Sequence, residues 1–547
     1  MNSLKQTLIL AFGFLFNITY AQQKNDKQLV IEFDKLLSAQ FKTNETGVTA
    51  LVAREGQVIY KKTFGMANLE LNIPMKVDHV FRIGSITKQF TAVAILQLME
   101  QGKLDLQDDI TKFIPDFHTQ GNKITIEHLL THTSGIQNTT DMPAYMGRVD
   151  LTPAEMIGHF KNLPLKFAPG TNWSYSNLGY FLLGYIIEKI TGKTYATYLE
   201  ENFFKPLGMT NSLYANDIKI VRNRADGYSQ GDNGVENAQP LSMTHPYAAG
   251  SIQSTVEDLF KWHQAVHSFK LIKKENLDKA ITRYKLSDGK ETSYGYGWRS
   301  GYVYESPSIW HGGLINGFIT MAIYLPKENI FVAVFSNCDC NSPEVVASRL
   351  AALAAGKPFE YKEVAVDNAL LQGYTGVYEN QKDQQRIITV SGNKLYTQLG
   401  RGPKIILKAY QKDKFFIDEI QAVEFSRNKK GEIENLITKN LSGNQVWQKT
   451  KLSIPDTNGI KVDEKVLGSY VGEYEMTPDF IITVIKDQGR LFVQAPGQSK
   501  FEIFAENENK FFTKVNDAQF EFVKDMDKII NVVMKQGGRQ ADAKKIK

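Results

Sequence analysis

The feature that most constrains this chain is a duplication in its C-terminal part. The pattern Leu371-x-x-Tyr374-x-Gly376-x-Tyr378-Glu379 recurs as Leu467-x-x-Tyr470-x-Gly472-x-Tyr474-Glu475, 96 residues further on. Three more pairs of segments recur in the same order: Ile387–Val390 with Ile481–Val484, Leu395–Gln398 with Leu491–Gln494, and Lys414–Phe416 with Lys510–Phe512. Because chance agreement at four ordered places is improbable, this part of the chain must contain two copies of one structural unit.

Each copy consists of short runs of β-branched and aromatic residues that Gly, Asn and Asp interrupt about every ten residues. This texture is typical of a small antiparallel β-barrel or sandwich. We therefore predict two β-barrel repeats, at residues 361–460 and 461–547, after a larger domain at 22–360.

The larger domain shows strand patterns at both ends and helical patterns between them. A Glu55-Gly56 turn separates the first two strands, and Ser254 with Glu257 has the spacing of a capping box. This order predicts one α/β domain whose terminal strands share an antiparallel sheet. The predicted strands are Thr49–Arg54, Gln57–Phe64, Phe318–Leu325 and Ile330–Ser336, and the helices are Thr87–Gln101, Asn177–Ile190 and Ser254–Val266.

The first 21 residues have the pattern of a secretory signal peptide. Lys5 precedes an apolar run, Thr7–Phe16, and Thr19 and Ala21 are small residues before a cleavage site at Gln22. This run is too short to span a ~30 Å hydrocarbon core. We therefore predict export to the periplasm or the extracellular space and no integral membrane segment in the mature chain. The alternatives are a buried N-terminal strand and an uncleaved anchor.

Charge and metal-ligating residues exclude several functions. A net charge of +5 over 547 residues is too weak to indicate a nucleic-acid partner. Cys338 and Cys340 would close a very small ring, so we expect two thiols at the end of a strand. His128 and His132 are four apart, as on one helix face, but no third ligand is near. No metal and no cofactor is therefore expected.

Ser85-Ile-Thr-Lys88 is the first segment that can carry chemistry. Residues three apart at the start of a helix share a face, so the two side chains can touch. A serine hydroxyl needs a base within hydrogen-bond reach to act as a nucleophile. Lysine can be that base if burial or a nearby cation lowers its pKa from about 10.4. The alternative is an N-capping serine with an exposed lysine.

Two further segments could complete such a site. Tyr175-Ser176-Asn177 could present a phenol and an amide to one cleft if the backbone is extended, although Asn177 could instead be a helix N-cap. His311-Gly312-Gly313 precedes a predicted strand, and its glycines allow another backbone to approach closely. The N–H groups of Ser85 and Leu314 could then form an oxyanion hole. The alternative for His311 is a polar residue beside a turn.

In combination, Ser85-x-x-Lys88, Tyr175-x-Asn177 and His311-x-Gly313 resemble the active-site motifs of the penicillin-recognising serine hydrolases. The chain is most similar to the branch with class C β-lactamases, D-aminopeptidases, DD-peptidases and esterases. The resemblance covers about residues 30–345. It includes further stretches, which are Phe81-Arg-Ile-Gly-Ser85, His128-Leu-Leu-Thr-His-Thr-Ser-Gly135, Trp173-Ser-Tyr-Ser-Asn177 and Ala249-Gly-Ser251.

The resemblance implies a role for each motif residue. Ser85 would be the acylated nucleophile, Lys88 its base and Tyr175 a proton shuttle. Asn177, His311 and Gly313 would bind the substrate. His-Gly-Gly stands where many β-lactamases and DD-carboxypeptidases have Lys-Thr-Gly, so a permanent cation is replaced by a group that is largely neutral at pH 7.

That departure favours esterase or aminopeptidase chemistry. Together with the signal peptide, it predicts an exported hydrolase of D-amino-acid peptides, amides or esters. D-aminopeptidases of this family also resemble the chain in having two β-barrel (lipocalin-like) domains after the catalytic one. The alternatives are a β-lactamase or DD-carboxypeptidase, and a penicillin-binding sensor that acylates slowly without turnover. The expected partner is a small peptide, amide or ester substrate, and the oligomeric state stays open.

Overall fold

A computed structural model describes residues 27–547, with gaps at the following places. They are 140–146, 217, 232, 358–362, 381–383, 401, 419–420, 442, 456–458, 478–479, 497–498, 515–517, 526–527 and 537–538. The predicted signal peptide lies outside the described residues. The chain forms two compact units: one runs to residue 359 and includes 440–443, and the other comprises 360–439 and 444–547.

A six-stranded antiparallel sheet organises the first unit. Its strands lie side by side in the order Arg299–Val303, Ser306–Ile315, Phe318–Leu325, Ile330–Ser336, Val48–Arg54 and Gln57–Phe64. Strands from the two ends of the unit lie side by side because Val48 pairs with Ser336 and Arg54 with Ile330. The prediction that the terminal strands share a sheet is therefore confirmed. The strands of this unit are β1 Val48–Arg54, β2 Gln57–Phe64, β3 Met66–Asn68, β4 Ile73–Pro74, β5 Phe81–Arg82, β6 Leu213–Tyr214, β7 Tyr228–Gly231, β8 Gly234–Asn237, β9 Ile252–Ser254, β10 Arg299–Val303, β11 Ser306–Ile315, β12 Phe318–Leu325 and β13 Ile330–Ser336.

Helices cover both faces of this sheet and give the unit two hydrophobic cores. One core contains the buried helix of Thr87–Glu100, and the other contains Pro343–Ala354 and the helical residues 27–40. The α-helices are α1 Thr87–Glu100, α2 Ile126–Leu130, α3 Pro153–Phe160, α4 Asn177–Thr191, α5 Tyr195–Leu199, α6 Tyr247–Gly250, α7 Val256–His267, α8 Lys274–Ile281 and α9 Pro343–Ala354. No described helix is long and apolar enough to cross a bilayer.

Helix ends follow local chemistry, with one correction. Helix α4 ends at Gly192, whose φ of 67° is the left-handed conformation that glycine adopts without strain. The capping box predicted at Ser254 and Glu257 is wrong. Thr255 is the N-cap of α7, since its side chain accepts a hydrogen bond from the backbone N–H of Asp258. Ser254 ends strand β9 instead.

The two cysteines are joined, so the expectation of free thiols is wrong. Cys338 and Cys340 form a disulfide directly after β13. The turn at Asp339 brings their Cα atoms to 5.1 Å, which is within the ordinary range for a disulfide.

The duplicated part folds into two closed eight-stranded antiparallel barrels, which confirms the predicted fold class. A short helix precedes each barrel, α10 Asn368–Tyr374 and α11 Glu464–Tyr470. The first barrel has β14 Gly376–Glu379, β15 Gln385–Ser391, β16 Lys394–Leu399, β17 Ile405–Gln411, β18 Lys414–Phe416, β19 Ala422–Arg427, β20 Ile433–Asn440 and β21 Gly443–Lys449. The second has β22 Gly472–Thr477, β23 Phe480–Asp487, β24 Arg490–Gln494, β25 Phe501–Ala505, β26 Lys510–Thr513, β27 Gln519–Asp525, β28 Lys528–Gln536 and β29 Arg539–Lys545.

The recurring tyrosines fill the barrel interiors. Tyr374 and Tyr378 have no exposed surface in the first barrel, nor have Tyr470 and Tyr474 in the second. The hydroxyl of Tyr378 donates a hydrogen bond to the carbonyl of Tyr374, and Tyr474 does the same to Tyr470. These residues therefore serve packing in both copies.

Candidate active site

Ser85 lies in a tight turn, Gly84–Ile86, that leads directly into helix α1. Gly84 has a φ of 50°, a conformation that residues with side chains rarely adopt. A Cβ on Gly84 would lie 3.0 Å from the backbone nitrogen of Leu314 in β11. This close approach brings the Ser85 turn against the part of β11 that contains His311-Gly312-Gly313.

Gly313 permits the same approach from the strand side. A Cβ at this position would lie 1.9 Å from the carbonyl oxygen of Ile83, which is far inside contact distance. The sequence pattern predicted that Gly312 and Gly313 precede a strand, but both glycines lie within β11. The backbone that approaches them is the chain's own segment before Ser85, and Leu314 lines the same cleft as Ser85.

Lys88 is the centre of the hydrogen-bond network. Its Nζ lies 3.1 Å from Ser85 Oγ, 2.8 Å from Asn177 Oδ1 and 2.9 Å from the carbonyl oxygen of Ala249. The side chain is fully buried. Burial first, and then the positive charge of Arg299, hold the pKa of Lys88 well below its usual range.

A neutral lysine fits these contacts. A neutral amine has two N–H groups and one lone pair, and the two carbonyl oxygens of Asn177 and Ala249 accept the two hydrogen bonds. The lone pair then faces the hydroxyl of Ser85, which can donate its proton to it.

Tyr175 lies close to both Lys88 and Ser85. Its ring centre is 4.8 Å from Lys88 Nζ. Burial raises the pKa of Tyr175 to about 12, although a hydrogen bond with Ser85 and the charge of Arg299 act in the opposite direction. The phenol therefore keeps its proton at neutral pH.

The segment around Tyr175 is fixed by the helix that follows it. Ser176 is the N-cap of α4, and its hydroxyl accepts a hydrogen bond from the backbone N–H of Gly179. Asn177 is the first residue of the helix, and its N–H donates to Asn138 Oδ1. The alternative that Asn177 is the N-cap is therefore wrong, and its amide is available to Lys88.

His311 lies near Lys88, but its side chain is hydrogen-bonded to Tyr294. Its Nδ1 lies 2.7 Å from the carbonyl oxygen of Gly312, and its Nε2 lies 2.8 Å from the hydroxyl of Tyr294. Nδ1 therefore carries the proton, and the lone pair of Nε2 accepts from Tyr294. Burial, with Arg299 and Lys88 nearby, holds the pKa of His311 well below its usual range.

Three residues of the site, Arg299, Tyr294 and His132, were not predicted from the sequence as site residues. Arg299 places its guanidinium 5.2 Å from the ring centre of Tyr294 and 5.6 Å from that of Tyr175. His132, considered above only as a metal ligand, packs 4.3 Å from the Tyr175 ring, and its Nδ1 accepts from the N–H of Ser176. The sequence signal that could have indicated these residues is the alternation of aromatic residues and glycines at 294–298, directly before Arg299.

An open cleft of about 690 Å³ leads away from Ser85. Its wall includes Asn177 and Leu314, and Arg148 and His245 contribute polar groups further out. The predicted residues Ser85, Lys88, Tyr175 and Asn177 therefore converge, with the backbone of Leu314 beside them and His311 behind Tyr294.

Comparisons with known proteins identify the family of the first unit. Residues 28–356 match the family described as Beta-lactamase. The chain belongs to the beta-lactamase family. Residues 360–451 and 457–545 each match a domain of unknown function, DUF3471.

Similar proteins include a penicillin-binding protein, an esterase and an amidohydrolase. "Penicillin-binding protein 4*" of Bacillus subtilis is 28% identical over 416 residues, which cover 69% of this chain and 89% of that protein. "Esterase EstB" of Burkholderia gladioli is 30% identical over 294 residues, 47% of this chain and 74% of that protein. A D-stereospecific amidohydrolase from Streptomyces sp. has 26% identity and a TM-score of 0.53, covering 60% of this chain and 99% of that one. The chain is accordingly a serine hydrolase of this fold.

Proposed function

We propose that the chain is an exported hydrolase that forms an acyl-enzyme at Ser85 and acts on D-amino-acid peptides, amides or esters. The observation that carries this proposal is the contact between Ser85 and a fully buried Lys88 with a lowered pKa. The names of two relatives, an esterase and a D-stereospecific amidohydrolase, support the choice of ester and amide substrates.

Acylation follows from the positions of these groups. Ser85 Oγ attacks the substrate carbonyl carbon and passes its proton to the lone pair of Lys88. The backbone N–H groups of Ser85 and Leu314 stabilise the negative charge on the carbonyl oxygen, and one such donor is worth roughly 2.7–4 kcal/mol of barrier. The bond to the leaving group then breaks, Tyr175 donates its proton to that group, and the protonated Lys88 returns a proton to Tyr175.

Deacylation uses the same residues in the reverse direction. Water enters from the cleft and attacks the acyl carbon, and one proton of the water passes through Tyr175 to Lys88, which returns it to Ser85 Oγ as the acyl bond breaks. Ser85 recovers its proton as the acid product leaves. Because Tyr175 stays protonated at neutral pH, it acts as a shuttle between two oxygen or nitrogen atoms and not as a permanent anion.

A second candidate has support from Arg299. The third sequence motif, His311-Gly312-Gly313, has no permanent cation, which argues against a β-lactamase or DD-carboxypeptidase. Arg299 supplies a permanent positive charge beside Tyr175. A substrate with a free carboxylate, such as a penicillin or a peptide ending in D-alanine, could therefore be held here.

A substrate panel separates the two candidates. We would measure turnover of a p-nitrophenyl ester, D-alanine p-nitroanilide and a chromogenic cephalosporin, each with the wild type and Arg299→Gln. Turnover of the ester or anilide that survives Arg299→Gln supports the proposal. Turnover of the cephalosporin alone, lost in Arg299→Gln, would favour the second candidate, and a burst without steady-state turnover would indicate a sensor.

A further inference from the structure

His132 directly follows the end of helix α2, at a position where a side chain strains the backbone. Thr131 is the C-cap of this helix, and His132 comes next with a φ of 62°. Many helices end with a residue in this left-handed conformation, and that residue is usually glycine because it has no Cβ. Glycine would end α2 with less strain, so the presence of a histidine points to a purpose for the imidazole itself.

The peptide groups on both sides of Tyr175 are hydrogen-bonded to His132. The N–H of Ser174 donates to the carbonyl oxygen of His132 at 3.0 Å. The N–H of Ser176 donates to Nδ1 of the imidazole at 3.1 Å. One residue thus fixes the backbone immediately before and immediately after the tyrosine, and the second of these contacts requires the side chain.

The imidazole also packs against the ring of Tyr175. The two ring centres are 4.3 Å apart, and the ring centre of Tyr294 is 4.5 Å from that of His132. His132 is only 1% exposed. Burial, with Lys88 and Arg299 nearby, holds the pKa of His132 well below its usual range. The ring is therefore neutral at pH 7 and can accept a hydrogen bond at Nδ1.

Acceptance at Nδ1 leaves the other ring nitrogen of His132 without a partner. In a neutral imidazole one nitrogen accepts and the other carries the proton, so Nε2 bears the N–H here. This nitrogen is buried, and it has no hydrogen-bond partner within the described parts of the chain. An unpaired buried group of this kind costs about 1–3 kcal/mol. Two unfavourable features, this nitrogen and the positive φ, therefore accompany the acceptor at Nδ1, which is a pattern expected at functional sites.

Tyr175 has no regular structure of its own to hold it. Residues 172–176 lie outside every described helix and strand, directly before helix α4. In the proposed mechanism the phenol passes protons over hydrogen-bond distances. A displacement of about 1 Å at such a group can cost about 10²-fold in rate. The hydrogen bonds from Ser174 and Ser176 to His132 therefore bear directly on proton transfer.

We propose that His132 is a positioning residue for Tyr175, which it holds through Nδ1, its carbonyl oxygen and its ring without touching the reacting atoms. The phenol is kept where it can donate its proton to the leaving group and recover one from the protonated Lys88. This inference rests on the proposed function, because that function gives Tyr175 the proton transfer. It differs from a general role in folding, since the loss should fall on the step that uses Tyr175.

The experiment compares two leaving groups on the same D-alanyl group. p-Nitrophenolate departs as a stable anion and needs no proton, whereas p-nitroaniline must gain a proton at nitrogen as the C–N bond breaks. His132→Leu should lower kcat/KM for the p-nitroanilide by about 10²-fold, and for the p-nitrophenyl ester by much less. Tyr175→Phe should show the same selective loss.

A double-mutant cycle tests whether His132 acts through the tyrosine. In the Tyr175→Phe background, His132→Leu should cause little further loss with the anilide, because the group that it positions is already gone. Losses that add in full would show that the two residues act independently, and this would overturn the proposal.

His128→Leu is the matched control, because Nδ1 of His128 also accepts from a backbone N–H, that of Thr125, at 3.2 Å. It should lower Tm and leave the ratio of anilide to ester activity unchanged. His132→Asn provides an amide oxygen in place of Nδ1 and tolerates a positive φ, so it should recover part of the anilide activity. If His132→Leu does not fold, His132→Gly carries the same comparison, since glycine adopts this φ without strain.

The outcomes separate this role from the proposed function. Equal losses with ester and anilide in His132→Leu, unchanged rates in that variant, or the same selective loss in His128→Leu would overturn the positioning role alone. Anilide activity of His132→Asn no higher than that of His132→Leu would contradict the part assigned to Nδ1. Absence of turnover of both substrates by the wild type would overturn the proposed function, and this role with it.

Discussion

At the scale of single residues, Lys88 combines a cost in stability with a gain in reactivity. Its amine is fully buried and faces two carbonyl oxygens and a serine hydroxyl. An unfolded chain would carry this lysine protonated, with a pKa of about 10.4. The folded chain holds it neutral, so folding releases a proton. This makes the amine a competent base near neutral pH.

Replacing Lys88 separates the two effects. Lys88→Met should lower kcat by about 10²–10⁴-fold, because the base is lost. The same change should raise Tm at pH 7. The native state binds fewer protons than the unfolded state, so the free energy of unfolding rises with pH between the lowered pKa of Lys88 and about 10.4. In the variant this rise should disappear.

Thermal unfolding across this pH range, beside initial rates, checks the prediction. Lys103→Met is the control, since Lys103 is an exposed lysine directly after helix α1. It should leave both quantities unchanged. A variant of Lys88 that keeps its activity would show that another group accepts the proton.

Arg299 provides a prediction for the pH profile. Its positive charge disfavours protonation of Lys88, so removing it should raise the pKa of Lys88. Arg299→Gln should therefore move the acid limb of kcat/KM to higher pH, whereas Arg299→Lys should move it less. Rate measurements with an uncharged ester avoid effects on substrate binding. An acid limb that stays in place, or moves to lower pH, would contradict this role.

At the scale of elements, Gly84 and Gly313 allow the backbone around Ser85 to approach strand β11. Helix α1 begins at the Ser85 turn, and β11 runs beside that turn with Gly313 facing Ile83. The approach of Gly84 to Leu314 and that of Gly313 to Ile83 involve backbone atoms and no catalytic side chain. The approach of the two backbones is what places the N–H of Leu314 near the reacting serine.

A pair of substitutions tests this approach. A Cβ at residue 313 would lie 1.9 Å from Ile83 O, whereas one at residue 312 would meet its nearest atoms at 3.4 Å. Gly313→Ala should therefore cost about 1–3 kcal/mol in stability and lower kcat, because the backbone must move apart. Gly312→Ala is the matched control and should be mild in both respects. Equal effects of the two would contradict the account.

The elements also show what the sequence could and could not predict. Helices α1 and α4 were predicted closely, because long apolar patterns and a C-terminal glycine mark them. The strands β10 and β11 were missed, since Arg299, His311 and two glycines interrupt the apolar alternation there. Ser85, Lys88 and Tyr175 were identifiable because the ordered motifs resemble those of the penicillin-recognising serine hydrolases. The contacts of Arg299, Tyr294 and His132 arise only when distant segments fold together.

At the scale of the whole molecule, one hydrolase domain is followed by two copies of a barrel. Strand pairing around Tyr378 and Tyr474 is equivalent, which is why the repeat was visible as recurring tyrosines and glycines. The duplicated fold was predictable from this repeat, whereas a disulfide between Cys338 and Cys340 was not, because it depends on a turn.

Export is a prediction that rests on the first 21 residues of the sequence. We expect the mature protein to begin at Gln22 after cleavage of the signal peptide. Intact mass and N-terminal sequencing of protein recovered from the periplasm or the medium would show this. Recovery of the chain in the cytoplasm with Met1 to Ala21 retained would contradict it.

The central claim is that Ser85 becomes covalently acylated. Intact-mass measurement after mixing the enzyme with a fluorophosphonate, and then with a slowly hydrolysed ester, tests this most directly. The account predicts one adduct per chain, mapped by peptide digestion to Ser85, and none in a folded Ser85→Ala variant. An adduct that persists in Ser85→Ala, or that maps to another residue, would contradict it.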